Sequence, residues 1–74
     1  NDKARDAALH AIGTDPGVKA SLERLGLTPA DLVEAGQAAP HLFDAMKAFG
    51  AGNSEAGVTA LGRAAEAAAS RSAD

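Results

Sequence analysis

The chain has 74 residues, a formal net charge of −3 and no cysteine. That length suits one small domain near the lower limit of what folds unaided, and the missing cysteine excludes disulfides and thiolate–zinc sites. The charge pattern argues against nucleic acid and anionic membrane surfaces: residues 1–26 balance, residues 27–52 set Asp31, Glu34 and Asp44 against Lys47 alone, and no run of basic residues occurs.

Glycines and prolines punctuate the chain at helix-like intervals. Glycine just past a helix and proline in its first turn is the expected asymmetry of helix ends. A first helix is predicted from about Asp2 to Ile12, with Ala4, Ala8, Ala11 and Ile12 near one side and Gly13 as its stop. A second opens on Asp15 as cap with Pro16 behind it. It carries Val18, Leu22 and Leu25 at helical spacing and ends at Gly26.

Leu27 then has two predicted tasks. As the residue after a Gly26 cap it can close on Leu22; as the residue before a Thr28 cap it can staple to Leu32, with Thr28 and Asp31 forming an acidic capping box. Truncating it should rank among the costliest changes.

A third, short helix is predicted from Pro29 to about Ala35, before Gly36, and a fourth from Pro40 to Phe49, with Leu42, Met46 and Phe49 on one stripe and Phe43 beside it. Gly50-Ala51-Gly52 reads as a hinge. A fifth helix follows from about Ser54 toward Ser70, its stripe Val58, Leu61, Ala65 and Ala68, and Ser72 to Asp74 should fray. Gly57 and Gly62 inside it each cost about 1 kcal/mol of helix propensity. The bulky apolar residues fall mostly between Leu9 and Phe49. The expected fold is therefore an all-α compact bundle of four to five short helices, a single domain over residues 1–74. Helices two to four should form the core, with one and five packed around it through alanine.

Chemistry is sparse. His10 and His41 lie on different helices without i, i+4 pairing, so no metal ligand set forms from them. The serines sit in no strand–turn–helix elbow, and the carboxylates fall at caps or in ordinary i, i+3 pairs such as Asp44–Lys47 and Arg63–Glu66. The loop from Gly50 to Ser54 precedes a helix, as an anion site would, but lacks a P-loop lysine. Thr28 to Phe49 has the outline of a helix-turn-helix, yet its second helix offers bases almost none of the arginine, asparagine or glutamine that reads them. From Phe43 to Leu61 the order helix, glycine–asparagine loop, acidic residue, then Val58 and Leu61 resembles the second half of ubiquitin-associated-type three-helix modules. That resemblance covers about a quarter of the chain, and the Gly36-to-Pro40 connection departs from it. No binding residue is carried over.

These observations set the expectation of a non-enzymatic protein-interaction or docking module without catalytic, metal or cofactor residues. Its partner would be another protein or another domain of the same chain, with no nucleic acid and no membrane, and the module itself a monomer or weak dimer. The alternatives are a helix-turn-helix-like nucleic-acid-binding domain and a structural helical domain of a larger enzyme or effector. If the module docks, its contact surface is expected on helices three and four, with Phe43 partly exposed and rimmed by Asp44, Lys47 and Glu34. Against this stands the favoured reading that Leu42, Phe43, Met46 and Phe49 are all buried, because so small a domain needs every large side chain in its core. The start at Asn1 suggests a piece of a longer chain, and the alanine, glycine, arginine and aspartate usage suggests GC-rich coding, hence a bacterial source; the expected localisation is cytoplasmic.

Overall fold

The computed structural model describes residues 2–72, with side chains to residue 70. Five helices follow in order: α1 (Asp2–Thr14), α2 (Pro16–Leu25), α3 (Pro29–Glu34), α4 (Ala39–Gly50) and α5 (Ser54–Ser72), with a 3-10 turn (Gly36–Ala38) leading into α4. The all-α bundle is as expected, and no strand occurs among the described residues. The predicted fraying of Ala73 and Asp74 lies outside those residues, while Ser72 is still helical.

Helix ends follow capping chemistry, though not always at the expected glycine. Gly13 does not stop α1. The Asp15 N–H donates to the Ala11 carbonyl at 2.8 Å, so the last turn persists until Pro16 holds Asp15 extended, at φ −71° and ψ 123°. Asp15 then caps α2 by accepting from the Val18 N–H at 3.0 Å. The α2 terminus is a Schellman motif: Gly26 sits at φ 71°, its N–H donates to the Glu23 carbonyl, and the Leu27 N–H donates to the Leu22 carbonyl. The segment from Gly50 to Gly52, read from the sequence as a hinge, forms a hydrogen-bonded helix ending. Gly52 takes φ 80°, its N–H donates to the Phe49 carbonyl, and the Asn53 N–H donates to the Ala48 carbonyl, a second Schellman ending. The Asn53 side chain at once accepts from the Ala56 N–H to open α5. Gly36 starts the 3-10 turn rather than ending α3, whose cap is the extended Ala35.

The capping box on α3 is complete. The Thr28 hydroxyl accepts from the Asp31 N–H at 3.1 Å, and the Asp31 carboxylate accepts from the Thr28 N–H at 2.9 Å. Hydrogen bonds from the Thr28 N–H, and then from its hydroxyl, favour the charged Asp31 carboxylate and hold its pKa below the ordinary carboxylate value. A depressed folded-state pKa adds stability above the ordinary carboxylate value and loses it as pH falls through the folded one. The gap in urea midpoint between wild type and Asp31→Ala should therefore be open at pH 6 and narrow at about pH 3. An unchanged gap at the lower pH would count against the charged cap.

The core corrects the expectation more deeply. Helix α5 is the central element and touches α1, α2, α3, the 3-10 turn and α4. Its buried face is Gly57, Ala60, Leu61, Ala64, Ala65 and Ala68. Alanines on the facing elements (Ala11, Ala35, Ala38 and Ala45) join Ile12, Val18, Leu22 and Leu32 to complete the cluster. Small side chains let helix axes approach closely, so an alanine-lined helix is suited to the centre of a small bundle. On α4 the fully buried residue is Ala45, with Leu42 and Phe49 half-buried against the core on either side of it. Met46 falls to one side of that line. Leu27 packs against the core but stays half-buried, so the costliest truncations belong to Leu32 and Leu61, which are fully buried. Glu66 bonds Arg24 of α2 at 2.8 Å rather than Arg63, an exposed clip between α2 and α5 worth at most about 1 kcal/mol.

Candidate functional site

Three large apolar side chains remain exposed among the described residues: Leu9 and Val33 at 47% each and Phe43 at 65%. They come from three helices and line one groove of about 300 Å³. Helix α1 supplies Arg5, Ala8, Leu9 and Ile12, helix α4 supplies Ala39, Leu42, Phe43 and Met46, and α3 supplies Val33. Ala8 and Ile12 are buried and form the floor, while Leu9, Val33 and Phe43 form the rim.

Each contribution has a local cause. Position 43 is one residue, about 100° of helix rotation, from Leu42, which turns its ring off the Leu42–Ala45–Phe49 line that meets the core. Leu32 occupies the one buried position of six-residue α3, so its neighbour Val33 is left outside. On α1 the alanine face turns inward and Leu9 lies beside it. Full burial of such a side chain is worth about 1.5–3 kcal/mol. A domain this small leaves part of that free energy unrealised at three side chains in one place.

Of the residues expected from the sequence, Phe43 is on the rim. Asp44, Lys47 and Glu34 are exposed, and none of the three lines the groove. Each directly follows a lining residue: Asp44 after Phe43, Lys47 after Met46, Glu34 after Val33. Sequence reasoning missed Leu9, Val33 and Arg5. The signal was present as a second line on α1, Arg5–Ala8–Leu9–Ile12 at i, i+3, i+4, i+7, which the stronger alanine stripe obscured. Arg5 approaches Asp2 at 3.7 Å and Asp6 at 4.0 Å, which offsets its charge.

The other candidates do not gather into a site. His10 is exposed and His41 half-buried, and no three of His, Asp and Glu come together among the described residues. In the loop before α5, the N–H groups of Ala51, Gly52 and Asn53 already donate to carbonyls of α4 and are not presented to an anion. No described helix is long and apolar enough to cross a membrane.

A scan against protein-family models matches none, and searches of curated proteins and of solved structures return no significant match. The likeness of Phe43–Leu61 to ubiquitin-associated-type modules thus rests on residue order alone.

Proposed function

We propose that this domain is a non-catalytic docking module that receives another protein, or another segment of its own chain, in the groove between α1 and α4. The supporting observation is the convergence of Leu9, Val33 and Phe43 on one concave surface. Scattered exposed apolar residues are normal on any protein, whereas a contiguous apolar surface with charged neighbours has the anatomy of an interface. A ring exposed at the edge of a concavity can act as an anchor without any change of fold. In this reading the module works without a cofactor, as a monomer or weak dimer.

A photo-crosslinking residue at position 43, compared with one at exposed Lys19 on α2, tests it in cells of the source organism. A discrete adduct, to another protein or to a distant segment of the same chain, should form from position 43 only and vanish with Leu9→Glu. No adduct from position 43, or the same adducts from both positions, would reject the groove as a docking surface.

A further inference from the structure

Resting on the docking reading above, we infer that the groove's occupant is a basic amphipathic helix. Both walls are built alike. Arg5, Ala8, Leu9 and Ile12 on α1, and Ala39, Leu42, Phe43 and Met46 on α4, are each an i, i+3, i+4, i+7 set spanning about 10 Å of helix axis. The position for a Cβ on Gly50, at the end of α4, lies 3.2 Å from the Ala4 Cβ near the start of α1. The two helices therefore run antiparallel as paired ridges with a furrow between them. A third helix fits such a furrow by ridges-into-grooves packing, laying its own i, i+3 or i+4, and i+7 side chains over the same two turns.

Other peptide forms suit the surface less well. An extended segment binds by pairing with a free sheet edge, and the walls here are helices whose backbone groups are bonded within themselves. A polyproline segment docks between aromatic rings; the chain has no tryptophan or tyrosine, and of its two phenylalanines Phe49 is packed over Gly57.

Charge sets the rest of the partner's chemistry. Exposed Asp6, Glu34 and Asp44 each directly follow a groove-lining residue, and Asp2 lies one turn before Arg5. Against these four carboxylates stand Lys47 and Arg5, the latter beside Asp2 and Asp6, which leaves an excess of two negative charges around the groove. A helix carrying lysine or arginine beside its apolar stripe would meet the excess of carboxylates that flanks the groove. A second copy of this chain would instead bring the same acidic flanks against each other, so self-association through the groove is disfavoured.

Synthetic peptides of about fifteen residues, long enough for partial helicity, provide the probe. One carries leucine at i, i+3, i+4 and i+7 with flanking lysines. A second keeps the leucines with flanking glutamates, and a third keeps the lysines with serine in place of leucine. Titrated into isotope-labelled domain, the lysine–leucine peptide should shift the resonances of Leu9, Val33 and Phe43. It should bind about five- to tenfold more tightly than its glutamate counterpart, a margin that shrinks as salt is raised. Glu34→Lys combined with Asp44→Lys, both at exposed positions, should reverse the preference. Equal affinity of the two leucine peptides within twofold overturns the basic partner, as does serine-peptide binding as tight as the leucine one, or no binding by any. Groove resonances that broaden with domain concentration alone overturn it in favour of a second copy. If the position-43 adduct persists through any of these failures, the docking reading survives and only the partner class falls. If the adduct is also absent, both fall.

Discussion

Leu61→Ala is expected to destabilise the domain by about 3–5 kcal/mol, the upper part of the range for truncating a buried leucine. The cost depends on what could fill the gap. Leu61 is fully buried on the central helix, in a core where most of the other members are alanines. Alanine has no side-chain torsion with which to swing into a cavity, so fewer neighbours can close the void than in a core of larger residues, and the cost of a cavity grows with the volume that stays open. A domain of this size has roughly 4–11 kcal/mol of total stability at ordinary values per residue. The variant should therefore lose most of its cooperative transition in urea at 37 °C. Leu32→Ala should cost less, about 2–3 kcal/mol, because short α3 can settle toward α5 more easily than α5 can move toward five neighbours. Leu27→Ala, half-buried, should cost less again. A Leu61→Ala loss below about 1.5 kcal/mol would show that the alanine-rich core repacks freely.

That ordering could not be drawn from the sequence, and the reason is physical. Ranking residues by bulk put the core on helices two to four, because burial energy scales with apolar area. Bulk is a poor guide to centrality when small residues control how near two helices come. The alanine run of α5 marked the helix around which the others gather, whereas on α4 Phe43 and Met46 were displaced toward the groove. Local signals fared better where two of them coincided. Gly26 with Leu27, and Thr28 with Pro29 and Asp31, each fixed a boundary and its hydrogen bonds correctly. Single glycines were ambiguous: Gly13 continues a helix, Gly36 opens a 3-10 turn, and the left-handed residue after α4 is Gly52. A glycine signals where the chain can turn, and only its hydrogen-bonded neighbours decide whether it does.

The candidate site was legible in part for a related reason. Phe43 stood off the main line of its helix, which marked it as the side chain to be left out if any was, although the need of a small core for bulk favoured burying all four. Leu9 and Val33 each sat next to a residue that claimed the buried position, Ala8 and Leu32 respectively, and a one-dimensional pattern cannot say that their leftover faces converge. The groove depends on the antiparallel approach of α1 to α4, set by the tight meeting of Ala4 with Gly50. That is a tertiary fact carried by two of the smallest residues in the chain.

The two glycines inside α5 should respond to alanine in opposite directions. A Cβ on Gly62 would have nothing within 4 Å, and its φ is not positive, so Gly62→Ala should raise stability by about 0.5–1 kcal/mol through helix propensity alone. A Cβ on Gly57 would lie 2.6, 2.7 and 2.8 Å from Cε2, Cζ and Cδ2 of the Phe49 ring. Contacts that short cannot persist, and the backbone gives way less readily than the ring. The ring must swing out, but a helical phenylalanine has few χ1 choices, and the ring leaves apolar surroundings for water. Loss of part of its burial, about 1.5–3 kcal/mol when complete, exceeds the propensity gain of about 1 kcal/mol. Gly57→Ala should therefore cost about 1–2 kcal/mol net, as overpacking does. A double-mutant cycle isolates the cause. With Phe49→Ala already in place there is no ring to displace, and the same Gly57→Ala change should become stabilising, by about as much as Gly62→Ala. If Gly57→Ala stabilises the wild-type background as well, the Phe49 ring is not seated on Gly57, and the close approach of α4 to α5 at that point is wrong.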